Sequence, residues 1–444
     1  MSEEWESLLT ELRKIPRGSD SAPQYLRHIM RLFVADFEQS MSKRLDVKFW
    51  KKLKTLIDEM RKASENDRLV ETNVFNLAVG FVLDLGHLVQ QNYALHEYAL
   101  PDFVTIPAVF GQRKPVKSRK NSRVFLAYFM LRLGDITRYK NDIRKAREYY
   151  EISARINPAD GAVWNQLGIC AAMSAKWLES VYFHTRAIHA TIPFDQGTQS
   201  LAAIYNKFAN RDITKPMPIN DLFLACLSKI HFLMEIKDSH KILGNLGKTA
   251  ATSKEMIVPI MSLYQHLEGD TELENRAVGY VRTVWQAAYR NLLEEVLQNP
   301  TDDDLIHILA LLRTAPEFVH DPENYEHIMV ANSISTHSDE NVKDSHGFAH
   351  FVCAENRILH YPISRNQLAK HLYGQIEQNE ANIEMSSSAS KNYDEHREKE
   401  VEEDVRNEHK IEESDSEEEI LQRGRRRGRA EHNDESIDTD DDDF

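Results

Sequence analysis

An internal repeat is the feature that most limits how this chain folds. Leu133 and Gly134 recur further along the chain as Leu167 and Gly168. Twelve positions after each glycine stands a small residue, and sixteen positions after it stands a ring-bearing residue: Ala146 with Ser180, and Tyr150 with His184. The spacing between the two copies, about 34 residues, is typical of a repeating pair of antiparallel helices. The repeat therefore predicts stacked helical hairpins, with small residues at the close approaches and rings between neighbouring helices.

Helical periodicity also dominates on both sides of the repeat. The periodic segments are 23–41, 47–62, 70–98, 195–209 and 222–375. Segment 101–123 interrupts them with three prolines, a glycine and six bases, and we predict a loop there. We predict an all-α fold with a tetratricopeptide-type domain over residues 1–212, a helical-hairpin domain over 219–378, and an acidic tail over 381–444.

The charge of the chain is unevenly distributed. The formal net charge is −15, and residues 381–444 alone carry 23 acidic and 10 basic side chains. This tail has almost no apolar residues, so we expect it to be disordered. The remaining residues carry 47 acids and 45 bases, so a local basic pocket there would not change the balance visibly.

The chain shows no sequence sign of a membrane span, a disulfide framework or a metal site. Its longest apolar stretch, around residues 74–90, contains Asp84 and His87 and predicts a buried helix. Three widely separated cysteines without a CxxC pair are typical of a reducing compartment. The usual motifs for nucleotide binding and serine hydrolysis are absent, so the chain is predicted to be a binding protein without cofactor or metal.

The end of the helix before residue 140 carries the most suggestive side chains. The apolar run FLAYFMLRLG leads into Asp135, Arg138 and Tyr139. Arginine offers a planar fork of donors that suits a phosphate, and tyrosine adds a hydroxyl. Asp135 lies three residues before Arg138 and is predicted to orient its guanidinium group. The alternative is a solvated ion pair worth about 0.3–0.5 kcal/mol.

The same residues carry a resemblance to a known family. The stretch 124–210 resembles the adaptor family of nonsense-mediated mRNA decay, which comprises SMG five, six and seven and the telomerase-associated Est proteins. The matching motifs are Leu133-Gly134-Asp135-Ile136 with Arg138-Tyr139, Pro158 with Gly161, Asn165-Gln166-Leu167, and Arg186 with Pro193-Phe194.

The resemblance implies a 14-3-3-like tetratricopeptide domain with a phosphoserine site. Arg138 and Tyr139 would bind the phosphate, and Asn165 would hold the peptide backbone. A lysine from an earlier helix would complete the site. Lys54 is the predicted residue, with Lys51 and Lys52 as alternatives because the alignment there can slip.

The implied function is that of an adaptor. It would recognise the phosphorylated RNA helicase of the surveillance complex, form a heterodimer with a paralogous adaptor, and recruit mRNA decay or phosphatase machinery. The implied location is cytoplasmic, and the arginine-rich tract 423–429 leaves shuttling to the nucleus and direct contact with nucleic acid open. Two alternatives stand beside it: a telomerase-associated Est-type RNA-binding subunit, and a generic tetratricopeptide scaffold for unphosphorylated peptides.

Overall fold

A computed structural model of the chain describes most of the first 298 residues. The described residues are 3–298 without 17, 19, 64–66, 97, 99, 107–112, 251–252, 266 and 268–269. The predicted tail 381–444 and the greater part of the predicted hairpin domain 219–378 lie outside them. The boundaries proposed for those two parts therefore stay predictions.

The described residues form fourteen α-helices and one pair of two-residue strands. The strands β1 (Tyr93–Ala94) and β2 (Lys114–Pro115) pair in parallel. The helices are α1 (Glu3–Lys14), α2 (Ala22–Ala35), α3 (Phe37–Ser42), α4 (Leu45–Ala63), α5 (Arg68–Asn92), α6 (Arg119–Tyr139), α7 (Ile143–Ile156), α8 (Gly161–Met173), α9 (Trp177–Ile188), α10 (Gln196–Ala209), α11 (Ile219–His231), α12 (Ser239–Ala250), α13 (Lys254–Gln265) and α14 (Glu272–Gln298). The prediction of an all-α, 14-3-3-like fold is confirmed.

The predicted loop 101–123 is shorter than the sequence suggested. Ser118 accepts a hydrogen bond from the backbone N–H of Asn121 at 3.1 Å and so caps the start of α6. Satisfying this N–H favours the helix over the loop. Three of the six bases in the segment, Arg119, Lys120 and Arg123, therefore lie on α6.

The repeat folds as two hairpins, α6 with α7 and α8 with α9. Their turns contain Asn141 with φ of 65° and Ala175 with φ of 55°, at equivalent positions of the two copies. A Cβ atom built on Gly134 would lie 2.5 Å from a ring carbon of Tyr150. Small residues are therefore required where the sequence pattern placed them, because a larger side chain would push the helices of each hairpin apart.

Two apolar cores share α6. The first extends from Trp5 in α1 to α7, and the second extends from α6 to Tyr289 in α14. Most buried apolar residues of α6, such as Met130 and Leu133, belong to the first core, whereas Leu131 belongs to the second, so α6 packs into both cores. Continuous packing in both cores fixes this helix and with it the side chains of its last turn.

Candidate anion-binding site

Lys54 and Tyr139, two of the predicted site residues, are near enough for the charge of each to shift the pKa of the other. Lys54 lies on α4, and Arg138 with Tyr139 forms the last turn of α6. The hydrogen bond from Lys54 to Asp58 is the main cause of a raised lysine pKa, and Tyr139 and Asp135 contribute to the same increase. Lys54 thus lies within electrostatic range of the end of α6. Its rival Lys52 instead donates a 3.1 Å hydrogen bond to the carbonyl oxygen of Gly18.

Arg138 is half-buried and only partly paired. Its Nε donates a 3.3 Å hydrogen bond to the hydroxyl oxygen of Tyr150, and its Cζ lies 4.8 Å from the ring centre of Tyr139. Within residues 3–298 as described, its terminal nitrogens Nη1 and Nη2 make no hydrogen bond or ion pair. The outer edge of the guanidinium group is therefore available to an anion.

Tyr139 is also half-buried, and its hydroxyl has no hydrogen-bond partner among the described side chains and backbone groups. Burial, followed by the charge of Asp135, raises the pKa of this phenol. The hydroxyl therefore keeps its proton at neutral pH and can donate it in a hydrogen bond.

The hydrogen bonds of Asp135 go to two residues other than Arg138, the residue that it was predicted to orient. Its Oδ2 accepts a 2.7 Å hydrogen bond from Nη1 of Arg132, and its Oδ1 accepts a 2.8 Å hydrogen bond from the hydroxyl of Tyr150. Arg132 lies three residues before Asp135 and Arg138 three residues after it, and a helical aspartate can reach either position. Packing favours Arg132 here. Asp135 thus acts on Arg138 through the hydroxyl of Tyr150 and through its negative charge, which contributes to the raised pKa of Arg138.

Arg132 contacts two aromatic rings. Its Cζ lies 4.7 Å from the ring centre of Trp50 on α4 and 4.4 Å from that of Tyr128 on α6. Stacking on aromatic faces suits a guanidinium group, whose charge is spread over a plane. Arg132 and Tyr150 were missed as site residues. The repeat did single out Tyr150 in the sequence, but only as a ring that packs between helices.

Asn165 lies on α8 and is buried. Its Oδ1 is 3.0 Å from Nδ1 of His184. Burial lowers the pKa of His184 to about 4, so the ring is neutral at pH 7 and donates from Nδ1. The Nδ2 of Asn165 donates to no group in the described ranges. A role in holding a peptide backbone stays a prediction for this residue.

The arrangement can bind an oxyanion with several acceptor oxygens. Three kinds of hydrogen-bond donor are present: the guanidinium edge of Arg138, the hydroxyl of Tyr139 and the ammonium group of Lys54. Hydrogen bonds from charged donors to phosphate oxygens are about twice as strong as neutral ones.

Comparisons with known proteins identify relatives in sequence. Residues 146–221 match the family model described as the Est1 DNA/RNA binding domain. Over 219 residues the chain is 24% identical to nonsense-mediated mRNA decay factor SMG7 of Danio rerio, covering 45% of this chain and 18% of that protein. Over 218 residues it is 24% identical to telomerase-binding protein EST1A of Danio rerio, covering 45% and 14%. The chain thus spans under a fifth of either relative.

Solved structures give matches over most of the chain. A chain in the structure of the C. elegans SMG5–SMG7 complex is 52% identical, with a TM-score of 0.77, and the match covers 85% of this chain and all of that one. A chain in the crystal structure of Est1 and Cdc13 is 11% identical, with a TM-score of 0.55 over 86% of this chain and 96% of that one. The second likeness concerns the fold alone.

Proposed function

Because this chain belongs to the family of SMG5, SMG6 and SMG7, we propose that it is a phosphoserine-binding adaptor of nonsense-mediated mRNA decay. The relationship to SMG5 and SMG7 supports a role in this pathway. The finer claim, that the chain binds phosphoserine, rests on one observation. Arg138 and Tyr139 keep unpaired donors in a half-buried position beside Lys54.

The donors fit the chemistry of a phosphoserine. A phosphoserine carries close to two negative charges and three acceptor oxygens at neutral pH. In a half-buried position the attraction between opposite charges is less screened than in bulk water. Arg138 already has its Nε tied to Tyr150, so less side-chain freedom is lost when a ligand binds.

The proposed client is the phosphorylated RNA helicase of the surveillance complex. In this proposal the adaptor then recruits mRNA decay factors or a phosphatase, and it works in the cytoplasm with passage to the nucleus. A binding function needs no cofactor, metal or catalytic residue.

A heterodimer with a paralogous adaptor is part of the same proposal. One described surface suits such a partner: α5 exposes Leu69 (70% exposed), Leu77 (42%) and the neighbouring Val70 on a helix that is otherwise packed into the first core. Gly80 lies on the same helix, and a Cβ atom there would have no neighbour within 4 Å. Apolar side chains along one helix are typical of a protein–protein contact. The helix is also long and apolar enough to cross a membrane by length and composition alone, and 44% of its apolar stretch is buried in the structure.

An Est-type RNA-binding function is the second candidate. It is favoured by the match of residues 146–221 to the Est1 DNA/RNA binding domain model. The two functions differ in the expected effect of replacing Arg138. Phosphoserine binding should depend strongly on this one residue, whereas RNA binding through many phosphates depends on the summed positive charge of a surface.

The test compares matched peptides on the full chain. A serine peptide from the surveillance helicase and its phosphoserine form are titrated by fluorescence anisotropy against wild type and Arg138→Glu. We expect phosphorylation to strengthen binding at least about tenfold, or roughly 1.4 kcal/mol. The charge reversal should abolish that difference.

The control is Arg144→Glu, which reverses a 92% exposed arginine on α7 and should keep the phosphate preference. Equal affinity of wild type for both peptides would reject the proposal. Tight binding of single-stranded RNA that Arg138→Glu leaves unchanged would favour the second candidate.

A further inference from the structure

We infer that Tyr150 is the specificity-determining residue of this site, because it holds Arg138 in the one orientation that separates a phosphate from a carboxylate. The inference rests on the proposed function and adds the kind of anion that the site selects. A phosphoserine would be bound, and an acidic side chain that mimics it would be rejected.

The first step is the direction of the hydrogen bonds at the Tyr150 hydroxyl. Its proton points to Oδ1 of Asp135, 2.8 Å away. The oxygen can then only accept, and it accepts from Nε of Arg138 at 3.3 Å. Burial, with the charge of Asp135, raises the pKa of Tyr150, so this direction does not reverse near neutral pH. With Nε engaged, the two terminal nitrogens of Arg138 form the free edge of the fork.

The second step is that every link is fixed from its other side. The Tyr150 ring is fully buried and packs directly on Gly134. Asp135 is 2% exposed and accepts a hydrogen bond from Arg132, whose guanidinium group contacts the rings of Trp50 and Tyr128. The chain of contacts from Arg132 through Asp135 and Tyr150 to Arg138 therefore leaves the last guanidinium group little freedom to turn.

The third step compares two anions. A phosphate has three terminal oxygens pointing in different directions, whereas a carboxylate has two oxygens in one plane and a single charge. Arg138 and Tyr139 lie on α6 and Lys54 lies on α4, so under this inference the phosphate meets donors from two helices. A mobile arginine could follow either anion, but an arginine held by Tyr150 cannot adjust to the smaller one.

The experiment uses the full chain and three oriented peptide libraries. The libraries share randomised flanks and differ only in a fixed central serine, glutamate or phosphoserine. For wild type we expect phosphoserine to bind at least about tenfold tighter than glutamate. For Tyr150→Phe we expect that ratio to fall below about threefold through weaker phosphoserine binding, with serine binding unchanged.

The matched control is Tyr93→Phe. Tyr93 is another buried tyrosine whose hydroxyl donates to Val34 and accepts from the backbone N–H of Phe37. It has the same number of hydrogen bonds to lose, and the variant should keep the wild-type ratio. If the melting temperature of Tyr150→Phe is lower than that of Tyr93→Phe, Asp135→Asn is used as the test variant instead. Asp135→Asn keeps the Tyr150 ring and its packing, and we expect the ratio of phosphoserine to glutamate affinity to fall in the same way.

The outcomes separate the two claims. A wild type that binds phosphoserine no better than serine rejects the phosphoserine function itself. The other outcome is that wild type prefers phosphoserine to serine and that the variants keep the full preference for phosphoserine over glutamate. That outcome overturns the role of Tyr150 and leaves the phosphoserine function intact.

Discussion

The ammonium group of Lys54 lies 2.6 Å from Oδ2 of Asp58, one helical turn further along α4. Both side chains are more than two-fifths exposed, at 46% and 43%. An exposed pair of this kind contributes at most about 1 kcal/mol. The protein therefore holds an internal carboxylate on one of the cations of its own candidate site, and an incoming anion must compete with it.

Removing that competitor should strengthen binding. We expect Asp58→Asn to raise the affinity of the full chain for a phosphoserine peptide by about two- to fivefold, since at most about 1 kcal/mol is released. Isothermal titration calorimetry measures the change. Glu59→Gln removes the same charge from the next residue, which is exposed, and should have a smaller effect. An unchanged affinity for Asp58→Asn would mean that Lys54 does not contact the anion.

The close contact between Gly134 and Tyr150 gives a prediction for packing. We expect Gly134→Ala to lower the free energy of unfolding by about 1–3 kcal/mol, because the new Cβ atom would lie 2.5 Å from the ring. The displaced ring should also weaken phosphoserine binding. Chemical denaturation and peptide titration measure the two effects.

The control for that prediction is Gly279→Ala on α14, where a Cβ atom would have no neighbour within 4 Å. Alanine is a better helix former than glycine, so this variant should gain about 0.5–1 kcal/mol. A loss of stability at both positions would show that helix geometry, and not contact with Tyr150, sets the cost at Gly134.

The buried His184 predicts sensitivity to acid. Burial lowers the pKa of His184 to about 4, whereas an unfolded histidine titrates near 6.5. Between these values the unfolded chain binds more protons than the folded one, so the free energy of unfolding falls as the pH falls. The loss from this one residue is on the order of 3 kcal/mol once the pH is below 4.

Melting temperatures between pH 7 and pH 4 measure that sensitivity. We expect a shallower decline for His184→Gln than for wild type, although the variant starts from a lower stability. Burial raises the pKa of the Asp46 and Asp160 carboxyl groups, and a raised carboxyl pKa stabilises the folded state as the pH falls. This opposite effect is present in both wild type and His184→Gln, so it does not change the difference between their slopes. His87→Gln, at a half-exposed position on α5, is the control for replacing a histidine that is not fully buried. Equal slopes for His184→Gln and wild type would contradict the prediction.

The exposed face of α5 predicts where a paralogous adaptor binds. We expect Leu77→Glu to weaken the heterodimer at least about tenfold, because a charge would be buried against an apolar partner. Sedimentation velocity of the full chain with its paralogue measures this. Leu273→Glu places the same charge on α14, where the leucine is 48% exposed, and should leave assembly unchanged. Weakening by both variants would argue for a general solubility effect.

Local patterns were sufficient to predict the repeat and most of the helices, although α1 (Glu3–Lys14) was not among the predicted segments. Glycines at the close approaches, and helices at 195–209 and 47–62, follow from residues near one another in the sequence. The start of α6 was missed because the serine cap at residue 118 stands among prolines and bases that favour a loop. Capping depends on one hydrogen bond, which a count of loop-forming residues does not register.

The candidate site was only partly predictable for a similar reason. Arg138 and Tyr139 are adjacent in the sequence, and a family motif marks them. The partner of Asp135 is different, because Arg132 and Arg138 are equally spaced from it and periodicity cannot choose between them. The choice is made by Trp50, which lies on α4, far from Arg132 in the sequence, and stacks on it. Tyr150 likewise gains its role from the packing of α7 on α6.

The sharing of α6 between the two apolar cores determines how its backbone amides should exchange with deuterium. A helix that packs into two cores opens only when both cores open, so the protection of its central amide protons should approach the free energy of global unfolding. The last turn, with Arg138, belongs to the same helix. Deuterium uptake there should be slow before any ligand is added, so that docking selects a surface that already exists and leaves the protection of the central turns nearly unchanged.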